Sequence, residues 1–527
     1  MQEQKMWKGA AILTISALFL KILSAMYRIP YQNMVGDVGY YIYQQVYPFF
    51  GVGVTLATYG FPIVIAKMIA DKREEGKNDE IREIVKVSLY ALSIVGVVIF
   101  VCLFVGAEAI ASFMGDENLT SLIQVIAFYF LLFPLISVLR GYFQGKFIMM
   151  PTAMSQVAEQ IIRVGVILCA SYVMIRVGFN SYEIGSAAIS GSVFGAIAAV
   201  IVLVLYRRKE GFSLHPRGIY SSDNRKMMKY ILVQGITICI CNLVLVLIQL
   251  VDASNFYSLL VDGGMGEEIS KEMKGVYDRS LPLVQVGTVV ATSIALALVP
   301  QLGRGSEVER GEKITLVIKF CFVFSIGATI GLACIAEPTN IMLYKNDKGT
   351  NIIVLLSFSI LLSSLAISTA AILQGLNETI RPAIHVIGGI ILKWIGNMLL
   401  IPFFGIEGAA IATLISLCVI VLLNIKSLQI ITTIQWKDVF YIVFKSGWAA
   451  CLMAICVTMY VFVGETYMNF FEHARANAAV QSLSAAMIGG FIYLILLVRL
   501  RVIEETEMSM FIKNKKVKNF ISWISGR

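Results

Sequence analysis

The chain has 527 residues, of which 58% are hydrophobic and 15% charged, with a formal net charge of +9. A soluble globular chain has a lower apolar and a higher charged share, so this composition excludes one and defines an integral membrane protein. The positive balance does not call for nucleic acid, because the distribution of Lys and Arg among the connections accounts for it.

Apolar stretches that can cross about 30 Å of hydrocarbon recur along the sequence, and about fourteen are predicted. They fall at 9–29, 41–69, 84–106, 120–144, 153–175, 182–206, 229–252, 281–302, 314–336, 351–374, 382–404, 406–428, 439–463 and 479–499. The first is too long for a cleaved signal and carries Lys21 and Arg28, so it reads as a retained span. The second contains Tyr47-Pro48 and Gly60-Phe61-Pro62, and the eighth contains Leu281-Pro282 and Val299-Pro300. Proline opens the helical hydrogen-bond ladder, which permits either a hinge or a fixed bend. The nine cysteines all lie in apolar spans without a Cys-x-x-Cys pair, as expected of buried structural thiols.

With the N-terminus in the cytosol, the inward connections hold about 28 basic residues and the outward ones about seven, which orients both termini inside. The outward loops are acidic, as at Glu108, Asp116, Glu117, Glu267 and Glu268, and the loop 253–280 is charged and partly helical. A basic tail with Lys513, Lys515, Lys516 and Lys518 suits anionic lipid.

A duplication organises the chain. Gln144-Gly145, Pro151 and Arg163 are echoed by Gln374-Gly375, Pro382 and Lys393, with the Gln-to-cation spacing the same in both copies. The offset of 230 residues implies six spans per unit, an even number that keeps both units in one orientation. The expected architecture is therefore all-α and polytopic, with two parallel six-helix repeats around a central cavity. The N-lobe occupies 1–210 and the C-lobe 211–430, followed by two extra helices and the tail over 431–527.

No enzymatic signature emerges. Gly141-Tyr-Phe-Gln-Gly145-Lys146 is one residue short of a P-loop and ends in Phe147, so it is a turn. His215, His385 and His473 are too scattered for a metal site. The remaining signal is intramembrane charge. Lys67, Lys86, Lys319 and Lys445 lie near span ends, where long stems carry the ammonium to the headgroups. Lys21, Arg163 and Lys393 lie deeper, and an ionised Lys or Arg at the bilayer centre costs on the order of 3 kcal/mol unless it faces a watery cavity or a partner. The structural alternative is an ion pair, with Glu159 four residues before Arg163 on one helix face. Gln156 and Gln160 extend that polar stripe, and Lys21 and Lys393 have no acid at helical spacing. A cavity with excess cations selects an anionic ligand.

The run Leu139-Arg140-Gly141-Tyr142-Phe143-Gln144-Gly145, with Pro151-Thr152-Ala153-Met154-Ser155-Gln156 and Glu159-Gln160-Ile161-Ile162-Arg163-Val164, resembles the stage V sporulation protein B group. The N-terminal Tyr27-Arg28-Ile29-Pro30, Gly36 and Gly60-Phe61-Pro62-Ile63-Val64-Ile65-Ala66-Lys67 carry the same likeness. That group belongs to the multidrug/oligosaccharidyl-lipid/polysaccharide superfamily, beside MurJ-type lipid II flippases and drug/cation antiporters. The resemblance implies two six-helix lobes, alternating access, and transfer of an undecaprenyl-diphosphate-linked sugar, foremost a peptidoglycan precursor such as lipid II, to the outer leaflet of a bacterial plasma membrane. It implies cavity cations in the first span at Lys21 and Arg28, and a tail groove on spans thirteen and fourteen. Lys21 replaces a more usual Arg, and the second-span arginine of the family has no counterpart, a charge that Arg163 and Lys393 would supply.

The expected substrate-binding residues are thus Lys21, Arg28, Arg163 and Lys393, with Glu159 and Asp252 as coupling or ion-pair sites. Expected partners are the lipid-linked saccharide, anionic lipid and cell-wall synthases. No cofactor is expected, the drive being the membrane potential or an ion gradient. A drug/cation antiporter of this fold would need free intramembrane carboxylates, and a membrane glycosyltransferase or ligase would need clustered acids or His in a large outward loop.

Overall fold

The computed structural model describes residues 19–20, 22–210, 222–298, 307–432, 436–467 and 471–502. Every described segment is helical or a short connection, with no strand among the described residues. Contacts divide the chain into two compact units, the first formed by 1–282 with 377–416 and the second by 283–376 with 417–527. These units cut the chain elsewhere than the lobe boundaries at 210 and 430, which rest on the sequence repeat.

The first unit runs through α1 (Arg28–Thr55), a π-helical turn (Leu56–Gly60), α2 (Phe61–Glu74), α3 (Asn78–Val105), α4 (Ala107–Phe113), α5 (Thr120–Ala127) and α6 (Tyr129–Gly145). It continues with α7 (Met150–Val177), α8 (Ser181–Lys209), α9 (Ser222–Asn242), α10 (Val244–Asp262) and α11 (Glu267–Asp278). The second unit holds most of α12 (Leu281–Leu298), then α13 (Glu307–Cys334), α14 (Ala336–Tyr344) and α15 (Thr350–Gly375). The unit boundary at 416 falls inside α16 (Ile380–Ile431), and α17 (Trp436–Tyr467) and α18 (Ala474–Arg499) complete the second unit.

Eleven helical stretches of the described residues are long and apolar enough to cross a membrane. Two of them exceed fifty residues and are broken, at Gly36 (φ 73°) and at Gly405 (φ 54°). At 1.5 Å per residue the 52 residues of α16 would reach about 78 Å unbroken, more than twice a hydrocarbon core. The break resolves them into the expected spans 382–404 and 406–428. Large apolar side chains such as Phe403, Val105 and Met487 lie on the outer surface, as lipid-facing residues do.

Local sequence explains the elements that carry the site. Helix α7 starts with Pro151 in its first turn and stops at Gly178 in the left-handed conformation, while α8 opens with a capping box between Asn180 and Glu183. A Cβ on Gly191 or Gly195 would lie 2.8 or 2.6 Å from the carbonyl oxygens of Arg163 and Glu159, so only glycine lets α8 rest directly on α7 there. The run Gly141 to Gly145 ends α6 and packs on Ile65 and Ile69 of α2, which explains its glycines as a close helix contact. The duplicated turns share a backbone signature: Phe147 (φ 59°) and Asn377 (φ 66°), 230 residues apart, are both left-handed.

The proline of Gly60-Phe61-Pro62 sits just after the π-helical turn, where its missing N–H and its ring displace the i→i−4 ladder. Val299-Pro300 lies outside the described residues. Two expectations need correcting. Cys239, Cys241 and Cys321 are buried, but Cys102, Cys169, Cys451 and Cys456 are exposed, in spans whose outer faces are themselves apolar. Lys445 does not extend freely from its span, because its Nζ donates to the Leu500 carbonyl at 2.7 Å and lies 4.1 Å from the Tyr441 ring centroid. Lys319 is buried as well.

Candidate cationic site

Two guanidiniums in the first unit are buried and form no ion pair among the described residues. Tyr27 and Tyr31 precede the Gly36 break, and Tyr40, Tyr43, Tyr47 and Phe50 follow it at spacings of three and four, so each set lies on one helix face. Their rings gather, with Tyr31 to Tyr43 at 4.9 Å, Tyr43 to Tyr47 at 5.9 Å and Tyr47 to Phe50 at 5.8 Å between centroids. Arg28, 1% exposed, places its guanidinium 4.2 Å from the Tyr47 centroid, and its Nε and Nη1 have no hydrogen-bond partner. Arg163, 2% exposed, reaches the same cage from α7, 4.4 Å from Phe50 and 5.5 Å from Tyr27. Its Nη2 donates to Gln160 Oε1 at 2.6 Å and to Ser24 Oγ at 3.5 Å, while Nε is unpartnered.

The buried ion pairs of this unit are Arg140–Glu159, Lys274–Asp278, Arg279–Asp37 and Lys393–Asp252, and neither Arg28 nor Arg163 belongs to one among the described residues. Drying a guanidinium costs several kcal/mol, and ring contacts of about 2 kcal/mol each return only part of it. Buried donors left without partners fit an anion with several oxygens, which a planar guanidinium grips through two N–H bonds.

The structural alternative, an i,i+4 pair of Glu159 with Arg163, does not form. Glu159 Oε2 is 2.7 Å from Arg140 Nη2, and its Oε1 accepts from the Tyr129 hydroxyl at 3.1 Å. Gln160 serves Arg163 as a neutral acceptor, and Gln156 is half-buried on the same helix. Lys21 lies outside the described residues.

Lys393 is fully buried but not free. Its Nζ is 2.7 Å from Asp252 Oδ1 and donates to the Ala409 carbonyl at 2.9 Å. Asp252 also accepts from Asn397 Nδ2 at 3.0 Å and from the Tyr277 hydroxyl at 3.3 Å, while Asn397 donates to Asn255 at 2.8 Å. Of the two expected roles of Asp252, the arrangement is that of the ion pair. The two cations at matching repeat positions thus have different surroundings, because the acid of the second copy comes from another helix, α10, and leaves no mark at helical spacing around Lys393.

Sequence reading found 253–280 charged but did not foresee that the charges of α11 are buried and paired. Lys274 and Asp278 form an i,i+4 pair at 2.5 Å, both buried, and Arg279 Nη1 lies 3.4 Å from Asp37 Oδ1, which also accepts from Gln32 at 2.8 Å. Burial pushes the Asp278 carboxyl up to about 6, against the opposing pull of Lys274. The charged segment 253–280 is thus the end of α10, a short turn and α11, both helices packed on α1, the i,i+4 spacing being the one available signal. Arg140 was visible only as part of a motif, since nothing nearby in sequence announces Glu159 as its partner.

These features define a class: a multi-pass, all-helical membrane protein whose interior holds two guanidiniums outside any ion pair among the described residues, framed by aromatic rings. Residues 6–306 match the family model described as "Polysaccharide biosynthesis protein", and the chain belongs to that family. It is 41% identical to the uncharacterized membrane protein YabM of Bacillus subtilis (strain 168) over 98% of this chain and 96% of that one. It is 25% identical to the lipid II flippase MurJ of the same organism, covering 93% and 95% of the two chains. Among solved structures it resembles "Lipid II flippase MurJ, inward closed conformation" with a TM-score of 0.68 at 13% identity, covering 92% of this chain and 98% of that chain. The all-helical, polytopic fold expected from the resemblance is the fold found.

Proposed function

We propose that this protein is a flippase that moves an undecaprenyl-diphosphate-linked sugar from the inner to the outer leaflet of a bacterial plasma membrane by alternating access, with both termini in the cytosol. Peptidoglycan lipid II is the proposed cargo, on the strength of the MurJ relative. The observation that carries the reading is the pair Arg28 and Arg163, buried, unpaired and sharing one tyrosine cage. Their free N–H groups suit a diphosphate, and Lys21 is retained as a third binding cation. Lys393 is reassigned to structure, since Asp252 already neutralises it.

The same bookkeeping disfavours drug/cation antiport, because Glu159 and Asp252 are each bound to a cation and neither is a free acid. We assign the drive to the membrane potential, with no cofactor; anionic lipids and cell-wall synthases are proposed neighbours. The test is reconstitution in liposomes with labelled lipid II and a readout of leaflet exposure. Protein-dependent exposure supports the reading, and its absence alongside exposure by a MurJ control refutes it.

A further inference from the structure

Glu159 and Arg163 stand four residues apart on α7, the spacing at which a carboxylate and a guanidinium pair on a helix. They do not pair. Glu159 is turned to α6, where Arg140 holds Oε2 at 2.7 Å and Tyr129 donates to Oε1 at 3.1 Å. Arg140 is itself completely buried and fixed: Nε donates to Ser155 Oγ at 3.1 Å and Nη1 to Thr58 Oγ1 at 2.8 Å. Acceptors from the π-helical turn and from α7 therefore set its position before Glu159 is counted. The α7 backbone at Glu159 and Arg163 is pinned by Gly195 and Gly191 of α8, which leaves side-chain rotation as the way Glu159 changes partner.

We infer that Arg140 is a positioning residue that sequesters the Glu159 carboxylate and thereby keeps Arg163 available to the anionic ligand. Two guanidiniums and one carboxylate leave one positive charge, and the fixed geometry of Arg140 decides that this charge resides on Arg163 beside Arg28. Remove Arg140 and the nearest guanidinium for a buried, dry Glu159 is Arg163, whose neutralisation closes the site. The assignment rests on the functional reading above, in that the ligand is taken to be a diphosphate.

The test uses the full chain in detergent micelles, with binding of inorganic diphosphate and of undecaprenyl diphosphate by calorimetry, and cryo-electron microscopy of Arg140→Gln. Arg140→Gln should weaken diphosphate binding about tenfold or more, as truncating one member of a buried charge pair does. The double variant Arg140→Gln/Glu159→Gln should recover to within about threefold of wild type, because no carboxylate remains to capture Arg163. A purely structural role predicts a double variant as weak as the single one, and that result overturns the inference. Tyr129→Phe is the softer probe should Arg140→Gln not fold: it loosens Glu159 and should weaken binding a few-fold, an effect that vanishes in a Glu159→Gln background. Equal binding by Tyr129→Phe and wild type counts against the inference. Failure of wild type to bind either diphosphate refutes the functional reading instead, while the structure of Arg140→Gln still decides this one: Glu159 must be found on Arg163.

Discussion

Losing a cation has opposite consequences at the two repeat positions. Arg28 and Arg163 are dry and unpaired, so Arg28→Gln or Arg163→Gln removes a desolvation penalty along with the ligand contact. Thermal stability of the purified variants should hold or rise, while lipid II exposure in liposomes falls at least about tenfold. Lys393→Gln instead strands Asp252, and breaking a buried pair in this way costs about 3–5 kcal/mol. Its unfolding midpoint should drop by several degrees, and Lys393→Gln/Asp252→Asn should recover most of the loss. A stability drop for Arg163→Gln as large as that for Lys393→Gln would remove the distinction between the two sites. The sequence made Arg163 and Lys393 legible as deep cations in register, because the repeat is local information. That Glu159 pairs with Arg140 rather than Arg163, and Lys393 with Asp252, was not legible, since Arg140 and Asp252 come from other helices and only the folded chain brings them near.

Hydropathy made the spans readable because each crossing must carry its own apolar run and satisfy its own backbone. Helix α11 escaped that reading. It is polar, with Lys271, Lys274, Asp278 and the adjacent Arg279 all buried by packing rather than by composition. Its contact with α1 depends on Gly275, where a Cβ would collide with the Asp37 backbone, just past the Gly36 break. Gly275→Ala should therefore destabilise the protein by about 1–3 kcal/mol, the usual cost of overpacking, and expose α11 amides in hydrogen exchange. Asp278 gives the element a pH signature. Its folded-state carboxyl, at about 6, lies above the ordinary value near 3.9, so the native state holds this proton more tightly than the unfolded chain does. The associated stability is complete below about pH 4 and is lost as pH rises through about 6. Against Asp278→Asn, which cannot ionise, wild type should lose relative stability over that window. A flat difference in melting temperature from pH 4 to 7 would contradict the assigned shift.

At the scale of the whole molecule, the proposed transport moves net charge, and that makes it electrically testable. A lipid diphosphate crossing outward carries at least two negative charges away from the negative side of the membrane, so an inside-negative potential favours its exit by roughly 4–5 kcal/mol for a full 100 mV. The buried acids Glu159 and Asp252 are already matched by Arg140 and Lys393, which leaves the ligand's own charge as the quantity on which the potential acts. Proteoliposomes clamped with a potassium gradient and valinomycin should show lipid II exposure that rises with inside-negative potential and falls when the polarity is reversed. A proton or sodium gradient imposed at zero potential should have little effect. The reverse pattern, insensitivity to potential with strong dependence on an ion gradient, would require a free carboxylate and would place Glu159 or Asp252 in a second conformation in which its present cation has let go.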